Sequence, residues 1–243
     1  MKPWYETWFD SPYYHILYHH RDGSEAAAFL DRLIGQLPMP SGARVLDVAC
    51  GKGRHSIHLN KRGFDVCGFD LSKASIAHNR QFENDRLHFF VHDMRDVFRV
   101  NYFDYVLNLF SSFGYFESER ENYNAFRANA VACKPGGSII VDFFNAKKVC
   151  AAGGNTVEQE IDGITFTSRK YFTEHHVRKE VRFVAGGEER TFTEQVRLFN
   201  RDDFHRFAQK AGLLVMQEYG DYQLNPFDEA KSDRYILVAG KPA

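Results

Sequence analysis

The stretch VLDVACGKGRH, from Val45 to His55, decides the fold. It begins as an apolar strand and ends with Gly51 and Gly53, whose spacing indicates a tight turn before a helix. Within the strand stands Asp47, and a carboxylate in apolar surroundings is costly unless a polar group pairs with it. A glycine turn between a strand and a helix is where a doubly wound α/β fold binds a nucleotide-like ligand.

Strands and helices alternate on both sides of this stretch. The predicted strands of the core cover 43–49, 65–70, 87–93, 103–110 and 138–144. The predicted helices cover 24–37 with Ser24 as N-cap, 54–62, 72–83 with Ser72 as N-cap, and a segment that begins at Ser118 with a capping box to Glu121 and stops at 134–137. Continuous apolar strands alternating with helices predict a parallel sheet covered on both faces.

The pattern changes after residue 150. Three or four runs of alternating polar and apolar residues lie between Ile161 and Phe199, and Gly186-Gly187 predicts a hairpin turn between the last two. A helix at 201–212 and strands at 213–219 and 234–240 complete the chain. We therefore predict one domain over 1–243. Its parts are an N-terminal aromatic lid and helix (1–40), a core (41–149), an antiparallel insertion (150–200) and a segment that completes the sheet (201–243).

Composition excludes several classes of protein. The 243 residues carry a formal net charge of −1, which disfavours nucleic acid as a partner. No window is apolar enough for a signal peptide or a membrane span, and the four cysteines lack metal-ligand spacing. We predict a cytoplasmic protein with reduced, buried cysteines, no metal site and no membrane partner. The composition favours no particular oligomeric state.

Aromatic residues are unusually numerous, with 23 Phe and 12 Tyr. Seven aromatic residues and three histidines fall within the first 23 positions, in a segment too short to bury itself. We therefore expect residues 1–23 to lie against the rest of the protein. The aromatic content predicts a dense core, an aromatic pocket, or both.

The region from Val45 to Ser72 resembles the cofactor-binding region of class I S-adenosylmethionine-dependent methyltransferases. The acidic-x-Gly-x-Gly-x-Gly pattern of that family appears as Asp47, Ala49, Gly51 and Gly53, with Ala49 in place of the first glycine. The resemblance extends over 41–145, and within it NLFSSFGYF and KPGG resemble a branch of small-molecule and peptide N-methyltransferases. It implies a Rossmann-like fold: a seven-stranded, mostly parallel sheet with an antiparallel last strand, plus a small antiparallel β insertion.

The resemblance implies S-adenosylmethionine as cofactor and assigns roles to particular residues. A backbone nest at Gly51–Gly53 would approach the methionine portion, while Asp47 bonds loop amides, bonds the cofactor ammonium through water, or only orders the loop. Asp70, with Leu71, ends the second strand where an acid accepts the ribose hydroxyls; an N-cap is the other interpretation, although Ser72 already fits that position. Asp93 would bond the adenine amino group and Met94 would flank the ring; otherwise Asp93 is an ordinary turn residue.

The segment after the fourth strand would form the acceptor side of the site. We expect Leu109 and Phe110 to pack near the cofactor, and a group after it to face the acceptor: Asn108, Ser111, Phe113 and Tyr115. Methyl transfer needs alignment, exclusion of water and, for an ammonium or hydroxyl acceptor, a general base. The candidates for that base are Tyr14, His15, Tyr18, His19, His20 and Tyr115.

The predicted reaction is methyl transfer to a small-molecule or peptide amine. A nicotinamide-dependent oxidoreductase would use the same crevice, but Ser56 occupies the position of its third glycine and Asp47 is atypical of it. A non-catalytic S-adenosylmethionine sensor would carry the same cofactor motifs. An RNA or protein methyltransferase would need a broad basic or grooved surface, which the near-neutral charge disfavours.

Overall fold

A computed structural model describes residues 3–19 and 23–243. The helices are α1 (Trp4–Trp8), α2 (Pro12–Leu17), α3 (Gly23–Gln36), α4 (Arg54–Lys61), α5 (Lys73–Asn79), α6 (Glu119–Ala132), α7 (Ala146–Ala151) and α8 (Arg201–Lys210). The strands are β1 (Arg44–Val48), β2 (Asp65–Asp70), β3 (Leu87–Val91), β4 (Phe103–Asn108), β5 (Cys133–Phe144), β6 (Asn155–Ile161), β7 (Ile164–Phe172), β8 (His176–Ala185), β9 (Glu188–Arg197), β10 (Leu214–Tyr219) and β11 (Arg234–Gly240).

Seven strands form the central sheet in the order β10-β11-β5-β4-β1-β2-β3. β1, β2, β3, β4 and β5 pair in parallel, whereas β11 runs antiparallel to both β5 and β10. The predicted Rossmann-like methyltransferase sheet with an antiparallel last strand is confirmed. Because the strand order reverses between β1 and β4, the ligand crevice of this fold is expected at their carboxyl ends.

Local signals placed most element ends correctly. Ser118 caps α6 with the predicted Glu121 capping box, and Ser72 accepts a hydrogen bond from the Ser75 amide at the start of α5. The prediction that Ser24 caps α3 is wrong, since Ser24 lies inside that helix. The fifth strand also begins earlier than predicted, at Cys133, because α6 already ends at Ala132 and the following segment pairs with β4.

Aromatic side chains fill the layer between the central sheet and the helices α6 and α8. Five Phe side chains in contact there are buried, with relative exposures of 0%: Phe113, Phe126, Phe143, Phe204 and Phe207. Such rings contribute large apolar areas to the core. The prediction of buried cysteines holds for three of the four, but Cys150 is exposed; all four are free thiols.

β6, β7, β8 and β9 form a second, antiparallel sheet in sequence order. Gly186 and Gly187, both at positive φ (62° and 79°), make the predicted hairpin turn between β8 and β9. This conformation is the one that favours glycine in a two-residue hairpin. The insertion predicted for this region is therefore a four-stranded sheet.

The N-terminal segment lies between the two sheets. The Trp8 and Leu17 side chains are fully buried and belong to one apolar cluster with Phe166, Val181 and Phe183 of the second sheet. The Trp8 and Phe192 rings lie 4.6 Å apart between centroids. The aromatic segment thus has one face packed on the second sheet, which leaves its other face toward the central sheet.

Candidate active site

A cleft of about 680 Å³ opens at the carboxyl ends of β1, β2, β3 and β4. Its floor is made by the segments that follow these strands, and its roof is the N-terminal pair of helices α1 and α2. The volume lies within the range typical of small-molecule sites. Predicted site residues that line it are Tyr14, His15, Tyr18, His19, Ala49, Gly51, Asp70, Leu71, Asp93, Met94, Phe110 and Tyr115.

The turn after β1 has two faces. Ala49, Gly51 and Gly53 all adopt positive φ, at 55°, 53° and 73°. A Cβ at Gly51 would meet none of the described atoms within 4 Å, whereas one at Gly53 would stand 2.9 Å from the Phe89 ring. Gly51 therefore leaves the cleft open to a close ligand, while Gly53 allows close packing against β3. The left-handed conformation is strained at Ala49, because its Cβ is crowded by the backbone, and a glycine there would avoid this strain.

Asp47 is buried, with 1% relative exposure, and is not among the lining residues of the cleft. Its Oδ2 accepts a hydrogen bond from the Ser56 hydroxyl at 2.5 Å, and its Oδ1 lies 3.8 Å from Nδ1 of His55. Both partners belong to the first turn of α4. Asp47 thus ties β1 to α4, and the serine in the place of a third glycine is its partner; of the predicted roles, ordering the loop is the one these contacts support.

Asp70 joins the two segments on either side of the cleft floor. One carboxylate oxygen accepts from the Gly51 amide and the other from the Ser72 amide, each at 2.8 Å. Burial raises the pKa of Asp70, and the Asp47 carboxylate adds to this, against the two amide hydrogen bonds. An acceptor-only carboxylate at the end of β2, lining the cleft, suits a vicinal diol.

Asp93 carries a partner that sequence reasoning missed. Nε of Arg95 donates to Oδ1 of Asp93 at 3.1 Å, and Nη2 of Arg95 donates to Oδ2 at 2.7 Å. Burial alone would raise the pKa of Asp93, but the hydrogen bonds and charge of Arg95 outweigh it and lower the pKa. Arg95 also contacts Glu121 of the α6 capping box and lies over the Phe116 ring at 4.6 Å. The carboxylate is therefore held as an ionised acceptor beside Met94.

The segment after β4 differs from its prediction. Leu109 is buried in the core cluster that includes residues of α3 and α4 and does not line the cleft, whereas Phe110 does. Asn108 and Phe113 are also buried, at 1% and 0% exposure, and Ser111 accepts a hydrogen bond from Arg234. Of the group expected to face the acceptor, only Tyr115 lines the cleft, joined by Ser112.

A buried ion pair holds this segment in a strained conformation. Phe110 and Ser111 both adopt left-handed backbone angles, with φ of 55° and 59°. The Phe110 amide donates to Asp142 at 2.7 Å, and Nε of Arg234 donates to the same carboxylate at 2.8 Å. The Tyr222 hydroxyl donates to it at 3.2 Å, and burial together with Asp142 raises the pKa of Tyr222. Three segments distant in sequence thus meet, which no local pattern could reveal.

The roof contributes most of the predicted bases. Tyr14, His15, Tyr18 and His19 line the cleft from α2 and the residues after it, while His20 lies outside the described residues. Burial and the nearby Lys52 ammonium lower the pKa of His15, against the Asp10 carboxylate. Tyr115 faces the roof from below, with its ring 5.5 Å from Trp4 and 5.3 Å from Phe9.

A direct hydrogen bond links roof and floor. Asp10, between α1 and α2, accepts from the Ser72 hydroxyl at 2.6 Å and from the Ala74 amide at 3.4 Å. Ser72 in turn caps α5 and donates its amide to Asp70. The roof is thereby fastened to the loop that carries the predicted ribose acceptor. Sequence reasoning missed Asp10, because only the fold brings it to Ser72.

Neither a metal centre nor a membrane span is found in the part of the chain that the structure describes. Over 3–19 and 23–243, no three His, Cys, Asp or Glu side chains are grouped closely enough to hold a metal ion. Over the same ranges, no helix has the length and apolar character needed to cross a bilayer.

Comparison with known proteins agrees with the fold and with the turn after β1. Residues 45–137 match a methyltransferase-domain family. The chain is 30% identical over 214 residues to the dTDP-3-amino-3,6-dideoxy-alpha-D-glucopyranose N,N-dimethyltransferase of Streptomyces fradiae, covering 81% of this chain and 78% of that protein. It is 30% identical over 244 residues to the glycine/sarcosine N-methyltransferase of Aphanothece halophytica, covering 93% and 85% respectively.

A solved structure, that of Streptomyces venezuelae DesVI, superposes with a TM-score of 0.70 at 29% identity. The match covers 95% of this chain and 97% of that one. The chain therefore belongs to the class I S-adenosylmethionine-dependent methyltransferases, as the sequence predicted. It is an enzyme that takes its methyl group from S-adenosylmethionine.

Proposed function

We propose that this enzyme N-methylates a small-molecule amine held between the cofactor and the aromatic roof. The observation that carries the proposal is the cleft itself. Its floor carries the cofactor-type residues, and its roof carries Tyr14, His15 and Tyr18. The amine acceptor is supported by the two relatives described above, both of which are N-methyltransferases, and nothing in the comparisons favours an oxidoreductase.

The residues of the floor fit S-adenosylmethionine. In the proposed complex Asp70 accepts the ribose hydroxyls, while the open backbone at Gly51 allows the methionine portion to approach. Asp93 accepts from the adenine amino group with Arg95 as its fixed counter-ion, and Met94 offers an apolar surface to the ring. When bound, the cofactor supplies a methyl group on a sulfonium, which is already activated for displacement.

The roof has two tasks in this proposal. The aromatic faces of Tyr14 and Tyr115 attract the cationic sulfonium, and the roof excludes water from the reacting groups. The Asp10–Ser72 hydrogen bond holds the roof against the floor and so limits the acceptor to small molecules. Alignment of donor and acceptor in a closed cleft is a major source of rate acceleration.

We assign the parts of the chain accordingly. Residues 41–149 bind the cofactor, 1–40 and 150–200 select the acceptor, and 201–243 complete the sheet. The second sheet enters the site indirectly, because the roof packs on it through Trp8 and Leu17. The free thiols at all four cysteines are compatible with our proposal of a cytoplasmic enzyme.

The acceptor class is tested by incubating the protein with methyl-labelled S-adenosylmethionine and a panel of amines. The panel contains glycine, sarcosine and dTDP-3-amino-3,6-dideoxy-α-D-glucose, and dTDP-glucose serves as the matched hydroxyl control. We expect a labelled methyl group on the nitrogen of at least one amine and none on the control, measured by mass spectrometry. Tight cofactor binding without turnover of any amine would count against the proposed amine acceptor.

A further inference from the structure

The Tyr18 hydroxyl belongs to a chain of hydrogen bonds that leads from the roof of the cleft to the second sheet. Its hydroxyl donates to Oε1 of Glu194 at 2.6 Å and accepts from Nζ of Lys179 at 2.8 Å. The Lys179 ammonium also lies 4.7 Å from the centroid of the Tyr18 ring. Because the lysine ammonium can only donate to the phenol oxygen, the phenol proton is directed at the Glu194 carboxylate.

The far end of this chain is separated from the cleft. Tyr18 lines the cleft, whereas Glu194, on β9 of the second sheet, is not among the lining residues. The fully buried Trp8 covers the carboxylate and donates its indole N–H to the same Oε1 at 2.7 Å. Glu194 remains partly exposed to solvent. An acceptor that reaches the phenol oxygen from the cleft could therefore exchange a proton with Glu194 through the phenol, and Glu194 could pass it on to water.

We propose that Tyr18 and Glu194 form the proton relay that deprotonates the acceptor, an inference that rests on the proposed amine methylation. The acceptor ammonium gives its proton to the phenol oxygen of Tyr18 while the phenol proton moves to Oε1 of Glu194. The freed lone pair on nitrogen then forms the new N–C bond, and the electrons of the breaking C–S bond remain on sulfur. Tyr18 is the catalytic residue of this step, and Glu194 acts through it.

The charges around the pair favour this direction of transfer. Lys179 stands opposite Glu194 on β8, and Lys170 of β7 stands opposite Lys179 on the same face of the sheet. The ammonium groups of these two lysines repel the acceptor ammonium when it lies near Tyr18. This repulsion favours the neutral form of the acceptor. Among the residues that the structure describes, the titratable groups on the roof near Tyr18 include Tyr14, His15, His19 and Asp10.

His15 is the competing base, so the relay is tested with variants of Tyr18 and Glu194 whose kcat is measured over a range of pH. With an amine that the wild type methylates, Tyr18→Phe and Glu194→Gln should lower kcat at pH 7 by about 100- to 10,000-fold, the range typical of general-base catalysis. The loss should shrink as pH rises past the pKa of the acceptor ammonium, because the amine then arrives deprotonated. Glu194→Asp should restore part of the rate. Glu180→Gln, on the opposite face of β8 and paired with Arg182, is the matched control and should keep wild-type kcat.

If Glu194 only anchors the roof, the outcome differs. The effect of Glu194→Gln would then be the same at every pH and would be a change in the KM for the acceptor. That result overturns the relay. Failure of the wild type to methylate any amine would count against the proposed function instead, and the relay is then judged by a measurement that needs no turnover.

That measurement uses Trp8 as a reporter. In a Trp4→Phe background loaded with S-adenosylhomocysteine, Trp8 is the only tryptophan. Its indole donates to Glu194, so protonation of that carboxylate should change its emission. We expect methylammonium, by donating to the phenol oxygen, to lower the pH at which the Trp8 emission changes when Tyr18 is present and to leave that pH unchanged in the Tyr18→Phe variant. No shift of this pH in either protein, or an equal shift in both, overturns the relay.

Discussion

Asp142→Ala is expected to lower the free energy of unfolding by about 3–5 kcal/mol, the typical cost of removing one partner from a buried ion pair. The Asp142 side chain is 0% exposed, and its substitution leaves the Arg234 guanidinium, 17% exposed, without its carboxylate. It also removes the acceptor of the Phe110 amide in the strained segment after β4. Urea denaturation followed by circular dichroism measures the change.

Glu229→Ala is the matched control for this substitution. Glu229 pairs with Lys147 at 2.8 Å, but both side chains are more than half exposed, so its loss should cost less than about 1 kcal/mol. A loss of unfolding free energy in Asp142→Ala no larger than that in Glu229→Ala would contradict a stabilising role for the buried network. Removal of both charges together, in Asp142→Asn with Arg234→Met, should recover part of the loss, since no unpaired charge then remains buried.

Asp70→Ala is expected to weaken S-adenosylmethionine binding by roughly 10- to 150-fold. The estimate corresponds to about 1.5–3 kcal/mol for lost hydrogen bonds to a charged group. In the variant the ribose hydroxyls lose their acceptor, and the Gly51 and Ser72 amides lose the contact that joins the two loops of the cleft floor. Isothermal titration calorimetry gives the dissociation constant directly.

Two controls separate the ribose contact from general damage to the strand. Asp65→Ala removes a carboxylate from the opposite end of β2 and should leave the dissociation constant within twofold of wild type. Asp70→Asn keeps one acceptor oxygen and should fall between Asp70→Ala and wild type. A dissociation constant for Asp70→Ala within twofold of wild type would refute the ribose assignment.

The sequence was sufficient for the parts of the fold set by local chemistry. The Ser118–Glu121 capping box starts a helix and the Gly186-Gly187 turn joins two strands, each through residues that are neighbours in sequence. Both could therefore be predicted without knowledge of the fold. Ser24 shows the limit of such signals, because a good N-cap residue also occurs inside a first turn. The parallel sheet followed from apolar strands alternating with helices.

The candidate site was predicted only in part, because its supporting contacts join residues far apart in the chain. Asp70 and Met94 line the cleft as expected, since Asp70 ends β2 and Met94 lies in the loop after β3, at the same edge of the sheet. Leu109 was misplaced because left-handed residues after β4 turn Phe110, rather than Leu109, to the cleft. Asp142 and Glu194 carry no sequence signal, since their partners are brought to them only by the fold.

The most direct test of the whole account is a crystal structure of the protein with S-adenosylhomocysteine bound. We predict that the nucleoside lies in the cleft between the turn after β1 and the N-terminal roof, with its ribose hydroxyls on Asp70 and its adenine beside Asp93 and Met94. The Asp10–Ser72 hydrogen bond should close the roof above it, leaving space beside Tyr18 for an acceptor. A nucleoside bound elsewhere, or a roof that fills the acceptor space, would contradict the assignment of this cleft as the methyl-transfer site.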